Sequence, residues 1–222
     1  TGFHARCWDR VVAALPQNMH VIAPDLRGHG RSFRPDALFN WGLIADDIAA
    51  LIDAIGHGPF FVVGHSMGGF VGALLAARVP DSVCGLLLVD PVLLPPEWYL
   101  DRAALGGQDP ADHPVSKRRN QWASAQEMFA RFADRAPYAS WVPEVLRDYC
   151  DYGLLQKADG SFELACPPEI EASAYLGNAG CDIYPEIGAV SCPVTVLRAQ
   201  TGERTSAMDF SISPTWPALS EQ

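Results

Sequence analysis

A serine hydroxyl attacks a carbonyl only when its backbone setting presents it to a base and to substrate. Gly64-His65-Ser66-Met67-Gly68 supplies such a setting. An apolar run, Phe60-Phe61-Val62-Val63, leads into it, and a small-residue stretch, Gly69-Phe70-Val71-Gly72-Ala73-Leu74-Leu75-Ala76-Ala77, leads out. Strand, tight turn and helix are the context that makes a G-x-S-x-G match a nucleophile elbow, in which a strained serine projects above the sheet edge. Side chains two residues before and after the serine would collide, which accounts for Gly64 and Gly68. Gly68, Gly72 and Ala76 recur at every fourth position, so one helix face is nearly bare and can lie close on the sheet. The chemistry such a serine could do is attack on an acyl carbon, which would give an acyl-enzyme for water to resolve. The developing oxyanion needs backbone donors, and Met67, directly after Ser66 at a helix N-terminus, supplies one.

The elements around this turn read as an α/β pattern. Residues 8–15 form a short helix ended by Pro16. Met19-His20-Val21-Ile22-Ala23 reads as a buried parallel strand, followed by the Gly-rich loop Asp25-Leu26-Arg27-Gly28-His29-Gly30-Arg31-Ser32. Residues 42–55 place Leu43, Ile44, Ile48, Leu51, Ile52 and Ile55 at a helical period. The strand at 60–63, a helix to about Val79 and a strand from Gly85 to Asp90 follow. Strands alternating with helices imply parallel βαβ units. From Pro91 to about Ser191 no buried strand is evident. Prolines cut this aromatic-rich stretch into short helices, and Cys192-Pro193-Val194-Thr195-Val196-Leu197 then restores the strand pattern. The expected organisation is a core of residues 1–90 and 192–222, with a helical cap insertion at 91–191. The insertion would roof the serine, although most of its aromatics read as its own core.

Composition bounds the partners. The chain has 222 residues, 49% hydrophobic, with a formal net charge of −10. The acidic balance argues against nucleic acid and anionic membranes, leaving a small-molecule substrate as the expected partner. Lys117-Arg118-Arg119 is a short basic run that reads as a solvated face. No window approaches the roughly 18 apolar residues of a membrane helix, and no signal peptide opens the chain, so a cytoplasmic location is expected. Six cysteines without CxxC spacing or a histidine cluster read as buried free thiols, with no metal site. Nothing in the sequence sets the oligomeric state.

Together these residues resemble the α/β-hydrolase superfamily, of the capped serine-hydrolase kind. The resemblance rests on Gly-Phe-His-Ala-Arg-Cys-Trp at 2–8, the loop at 25–32, Gly64 to Gly69, Leu87-Leu-Val-Asp-Pro91 and Cys192-Pro-Val. It implies a mostly parallel eight-stranded sheet flanked by helices, no metal, no organic cofactor, and a Ser-acid-His triad in that chain order. It also exposes departures. The family's His-Gly pair would stand just before Thr1, ending a central strand that is absent along with the two before it. That strand lies in the family between those at 19–24 and 60–64. After the strand at 193–198 the family has a further helix, strand and histidine-bearing loop. The chain therefore reads as cut at both ends.

The resemblance assigns Ser66 as nucleophile and leaves two acids in competition. Glu203, just past the last strand, stands where most members carry the acid and is favoured. Asp90, at the end of the strand after Ser66, stands where a minority carry it. The second oxyanion donor, after the His-Gly pair, falls on Thr1. His4, His20, His29, His57, His65 and His113 all lie too early in the chain to be the base. Of these, His29 is expected to brace its loop, and His65 to face the sheet. The base is expected beyond Gln222, and the 222-residue chain is expected to turn over little. The competing readings are an idle module that holds a small ligand, or a lyase or perhydrolase on the same scaffold.

Overall fold

The structure, a computed structural model, describes residues 1–100, 108–202 and 211–216. Among these, the strands are β1 (Phe60–His65), β2 (Val83–Val89), β3 (Gln121–Trp122), β4 (Leu154–Gln156), β5 (Phe162–Leu164) and β6 (Val194–Leu197). The α-helices are α1 (Asp9–Ala13), α2 (Gly42–Ile55), α3 (Met67–Arg78), α4 (Pro96–Leu100), α5 (Ala125–Phe132), α6 (Pro143–Tyr152), α7 (Pro168–Leu176) and α8 (Tyr184–Ile187). None is long and apolar enough to cross a membrane. The chain forms two compact units: Thr1–Leu38 with Gln108–Tyr175, and Phe39–Gly107 with Leu176–Gln222.

The second unit carries the parallel sheet, in the order β1-β2-β6. β1 pairs with β2 from Phe61↔Gly85 to His65↔Val89, and β2 pairs with β6 from Leu86↔Val194 to Val89↔Leu197. α3 connects β1 to β2 and is buried almost all round, with Phe70 and Leu74 fully enclosed. Such a helix has no polar face and forms a core layer. α2 packs on α3 through Trp41 and Phe70, whose rings meet edge-on at 5.2 Å. Gly56 ends α2 at φ 68°, a left-handed cap conformation, and its N–H bonds to the Ile52 carbonyl. Arg78 ties the helices together. Its Nη1 donates to the Gly42 carbonyl (2.9 Å) and Asp46 (2.7 Å), while Nε and Nη2 grip Glu186 at 2.8 and 2.9 Å.

The first unit has its own core of Trp122, Met128, Leu146, Tyr149, Cys150, Leu154 and Leu164, with Phe132, Tyr138 and Trp141 packed against it. The aromatics at 122–149 are therefore largely core, as the more conservative reading of the sequence holds. A small antiparallel sheet, β3-β5-β4, was not expected there. Its hairpin turns at Asp159-Gly160, with Gly160 at φ 85°, and the Lys157 N–H bonds to the Ser161 carbonyl.

Three expectations are corrected. Met19–Ala23 joins no ladder, and Met19, Val21 and Ile22 are 57%, 39% and 39% exposed. An apolar run becomes a strand only where a neighbour completes its hydrogen bonds, and none of the described strands does so. Arg118 is not a solvated surface charge: it is half-buried, ion-paired with Glu171, and donates to Tyr149 Oη at 2.9 Å and Tyr138 Oη at 3.3 Å. All six cysteines are free thiols, but Cys84 is exposed rather than buried.

The division by contacts also differs from the core-and-cap boundaries at 91 and 191. Residues 1–38 join the unit that holds α6, through His4 on the Tyr149 carbonyl (3.1 Å) and Arg10 on Asp148 (2.7 Å). Residues 176–191 join the sheet unit, through Asn178, Tyr184 and Glu186.

Candidate active site

Ser66 stands between the last residue of β1 and the first of α3 with φ 56° and ψ −120°. A non-glycine residue at such an angle carries strain of about 1–3 kcal/mol, held only where neighbours over-determine it. Here the Ser66 N–H donates to the Val89 carbonyl (3.0 Å), and the Ser66 carbonyl accepts from Gly69, Phe70 and Val92 (3.0, 3.3 and 3.3 Å). The turn is thus fixed by the next strand, by the first turn of α3 and by the segment after β2.

The glycines around it divide the work differently from the sequence reading. A Cβ on Gly64 would collide with the Gly68 carbonyl oxygen and come within 2.7 Å of the Gly69 nitrogen. Gly64 is therefore obligatory, as expected. Gly68 is not: a Cβ there meets nothing within 4 Å. The close approach belongs to Gly69, whose Cβ would lie 2.8 Å from Pro91 Cβ, and to Gly72, which faces Val62 at 3.3 Å. The close face of α3 therefore begins at Gly69 rather than Gly68 and continues through Gly72.

Met67 is the first residue of α3 and is 3% exposed. First-turn N–H groups have no intrahelical acceptor, and the Met67 N–H stands at the positive end of the helix. Thr1, the second expected donor, belongs to the other unit.

Asp90 follows β2 directly, with φ 44°. Ser66 and Asp90 are the two non-glycine residues with positive φ among the described residues, and each immediately follows one of two adjacent strands. The Asp90 N–H donates to the Leu197 carbonyl (2.6 Å), and its Oδ1 accepts from the Ala199 N–H (3.1 Å) and the Ser213 hydroxyl. Glu203, the favoured acid, lies outside the described residues.

Among the described residues, no histidine is hydrogen-bonded to Ser66 or Asp90. His4 sits on the Tyr149 carbonyl, His29 on the Arg27 carbonyl (3.0 Å) and His113 under the Val115 N–H (3.3 Å). His29 braces its loop as expected: it is 2% exposed, and burial lowers its pKa to about 4. Asp25 completes that loop by accepting from the Ala5 and Arg31 N–H groups at 2.7 and 2.9 Å. His65 is exposed rather than turned into the sheet. No cluster of three metal-ligating side chains occurs among the described residues.

Sequence reasoning missed the Ser213 hydroxyl on Asp90 and Asn178 beside the segment after β2. Neither residue carries a motif, and both reach the site only through the fold.

Comparison with known proteins follows the same lines. A sequence profile of the alpha/beta hydrolase family matches residues 1–218. An esterase of Mycobacterium tuberculosis is 39% identical over 199 residues, covering 89% of this chain and 62% of that protein. The 2-(acetamidomethylene)succinate hydrolase of Mesorhizobium japonicum is 27% identical over 200 residues, 90% of this chain and 68% of that protein. A lipase of Mycobacterium tuberculosis is 48% identical over 92 residues, 40% of this chain and 34% of its own length. The chain thus spans between about a third and two-thirds of these relatives. Among solved structures, an E-2-(acetamidomethylene)succinate hydrolase superposes with a TM-score of 0.71 at 24% identity, over 95% of this chain and 74% of that one. The crystal structure of a Mycobacterium tuberculosis esterase gives a TM-score of 0.64 at 26% identity, over 89% and 63%.

Proposed function

The chain belongs to the alpha/beta hydrolase family, and we propose that it is a serine hydrolase that cleaves an ester or related acyl bond of a small, apolar substrate. The observation that carries this reading is the strained φ of Ser66 at the carboxyl end of β1, with the Met67 N–H beside it at the start of α3. In the proposed reaction Ser66 Oγ bonds to the acyl carbon as its proton passes to an imidazole. The carbonyl electron pair moves onto oxygen, which the Met67 N–H receives. Collapse expels the alcohol, which takes the proton, and leaves the acyl-enzyme. Water, deprotonated by the same imidazole, then releases the acid and frees Ser66.

A carboxylate is needed to hold the imidazole's tautomer. Strain and a donor-lined setting support Asp90 in this role, and Glu203 is the competing candidate. The esterase and hydrolase names of the relatives support the reaction class. Because none of the six histidines is bonded to Ser66 or Asp90, we propose that the 222-residue chain by itself turns over little. The aromatic-rich stretch at 91–191 is proposed to act as a cap over the substrate.

The test is to treat the full-length protein with a fluorophosphonate and map the adduct. Labelling at Ser66, abolished by Ser66→Ala, is the expected result. A folded protein that resists the probe would reduce the site to a ligand-binding pocket, and a product formed without incorporation of oxygen from labelled water would indicate a lyase. Asp90→Asn and Glu203→Gln identify the acid: the true one costs about 10⁴-fold in kcat, by analogy with loss of a triad carboxylate.

A further inference from the structure

The segment Pro91–Leu94, one residue after β2, has every carbonyl occupied. The Pro91 carbonyl accepts from Thr215 Oγ1 at 2.6 Å, and the Val92 carbonyl from Asn178 Nδ2 at 3.2 Å. The Leu93 carbonyl accepts from the Trp216 N–H at 2.7 Å, and the Leu94 carbonyl from Tyr184 Oη at 2.7 Å. Irregular backbone that is buried must find partners for its polar groups, and Pro91 and Leu93 are almost fully enclosed. The partners could have come from a single element. They come instead from two stretches far apart in sequence, near 178–184 and 213–216, and the Pro91 carbonyl accepts from the Leu93 N–H as well.

Two of these bonds, those on the Pro91 and Val92 carbonyls, hold the peptides on either side of Val92. The Val92 N–H donates to the Ser66 carbonyl, while the Val92 carbonyl is held by Asn178. Two hydrogen bonds in series therefore run from the Asn178 amide through the Val92 peptides to the backbone of Ser66. Asn178 is 5% exposed. A side chain enclosed to that degree has little freedom to swing away. The Thr215 hydroxyl holds the Pro91 carbonyl, which shares a peptide group with the Val92 N–H, so Thr215 and Asn178 fix the two peptides of Val92 together, while the bonds from Trp216 and Tyr184 lie further along the segment.

We propose that Asn178 is a positioning residue for the nucleophile: it fixes Val92 so that the Val92 N–H keeps Ser66 in its strained backbone conformation. The inference rests on the hydrolase reading of Ser66. Removing the Asn178 donor lets the Val92 peptides tilt, and the Ser66 turn then relaxes toward ordinary angles. A shift of under an ångström at the nucleophile is enough to lower reactivity about tenfold or more. Substrate binding, which does not involve Asn178, is left nearly unchanged.

The test compares two variants of the full-length protein that each lose one hydrogen bond to this segment, Asn178→Leu and Tyr184→Phe. Each is brought to conditions where circular dichroism shows it fully folded. The rate of phosphonylation of Ser66 is then measured against fluorophosphonate concentration. The expected result is a maximal labelling rate about tenfold lower for Asn178→Leu, with half-saturation unchanged, and a rate within twofold of wild type for Tyr184→Phe. Asn178→Asp at pH 8, which keeps the shape but removes the donor, should reproduce the loss if Asn178→Leu does not fold. Equal losses in the two folded variants would overturn the proposal, because they would show a merely structural clamp. So would an unchanged rate in Asn178→Leu. A wild-type protein that is never labelled would instead overturn the hydrolase reading itself, and this inference with it.

Discussion

At the scale of single residues, the turn at Ser66 depends on which glycine faces what. Gly64 and Gly68 are symmetric in the motif but not in space. A methyl group at 64 drives into the backbone of Gly68, which cannot yield as a flexible side chain would. A methyl group at 68 enters open space, and Gly68 lies in the first turn of α3. Gly64→Ala should therefore lower unfolding free energy by about 2–3 kcal/mol and abolish phosphonate labelling. Gly68→Ala should be neutral or stabilising by up to about 1 kcal/mol, since alanine suits a helix better than glycine. Gly69→Ala should fall between, because Pro91 Cβ and Cα stand 2.8 and 3.1 Å from the added carbon. Urea midpoints of the three variants give the order, and a Gly68 variant as damaged as the Gly64 one would contradict this geometry.

At the scale of elements, local signals were readable and non-local ones were not. α2 was legible almost to its ends because its apolar residues keep a helical period and Gly56 supplies the left-handed stop. β1, α3 and β2 were legible because an apolar run, a glycine turn and a small-residue helix follow one another within one stretch of chain. The strand expected at Met19–Ala23 failed because ladder formation depends on a partner elsewhere in the molecule. The hairpin of β4 and β5 was overlooked although Leu154-Leu155-Gln156 and Phe162-Glu163-Leu164 flank the turn signal Asp159-Gly160. At the candidate site, the strained turn at Ser66 was legible from its motif, whereas Asn178 and Ser213 are brought there by tertiary contacts that no spacing reveals. Arg78 belongs to the same non-local class: nothing in its surroundings in sequence marks it, yet it bonds to α2 and α8 from the end of α3. Arg78→Met keeps the stem and removes all the donors, leaving the Gly42 carbonyl and Glu186 without them. Because the ion pairs are partly solvated, the expected loss is about 1–2 kcal/mol rather than the several a fully buried network would give. Chemical denaturation of Arg78→Met measures it, and Arg78→Lys should recover only part, since an ammonium cannot grip Glu186 with two parallel bonds.

At the scale of the whole molecule, burial of neutral imidazoles ties stability to pH. His29 is almost fully enclosed, and desolvation lowers its pKa from the ordinary 6.5 to about 4. Its Nδ1 lies 3.0 Å from the Arg27 carbonyl, so that nitrogen carries the proton and donates, and Nε2 is buried with no partner. Between pH 6.5 and 4 the unfolded chain binds a proton at His29 that the folded chain does not. Stability is therefore complete above about pH 6.5 and falls as pH drops toward 4, by up to about 3 kcal/mol for this one group. His4 and His113 are also lowered, in each case first by desolvation, and act in the same direction. The acid loss should thus begin well above the range where most of the 26 carboxylates titrate. His29→Asn tests the assignment, because its Nδ2–H can keep the bond to Arg27 while removing the titrating group. Its unfolding free energy, measured by urea titration from pH 7 to pH 4.5, should fall less steeply than that of wild type by up to about 1.4 kcal/mol per pH unit. Parallel curves for the two proteins would mean that His29 does not titrate on unfolding and that the acid lability arises elsewhere.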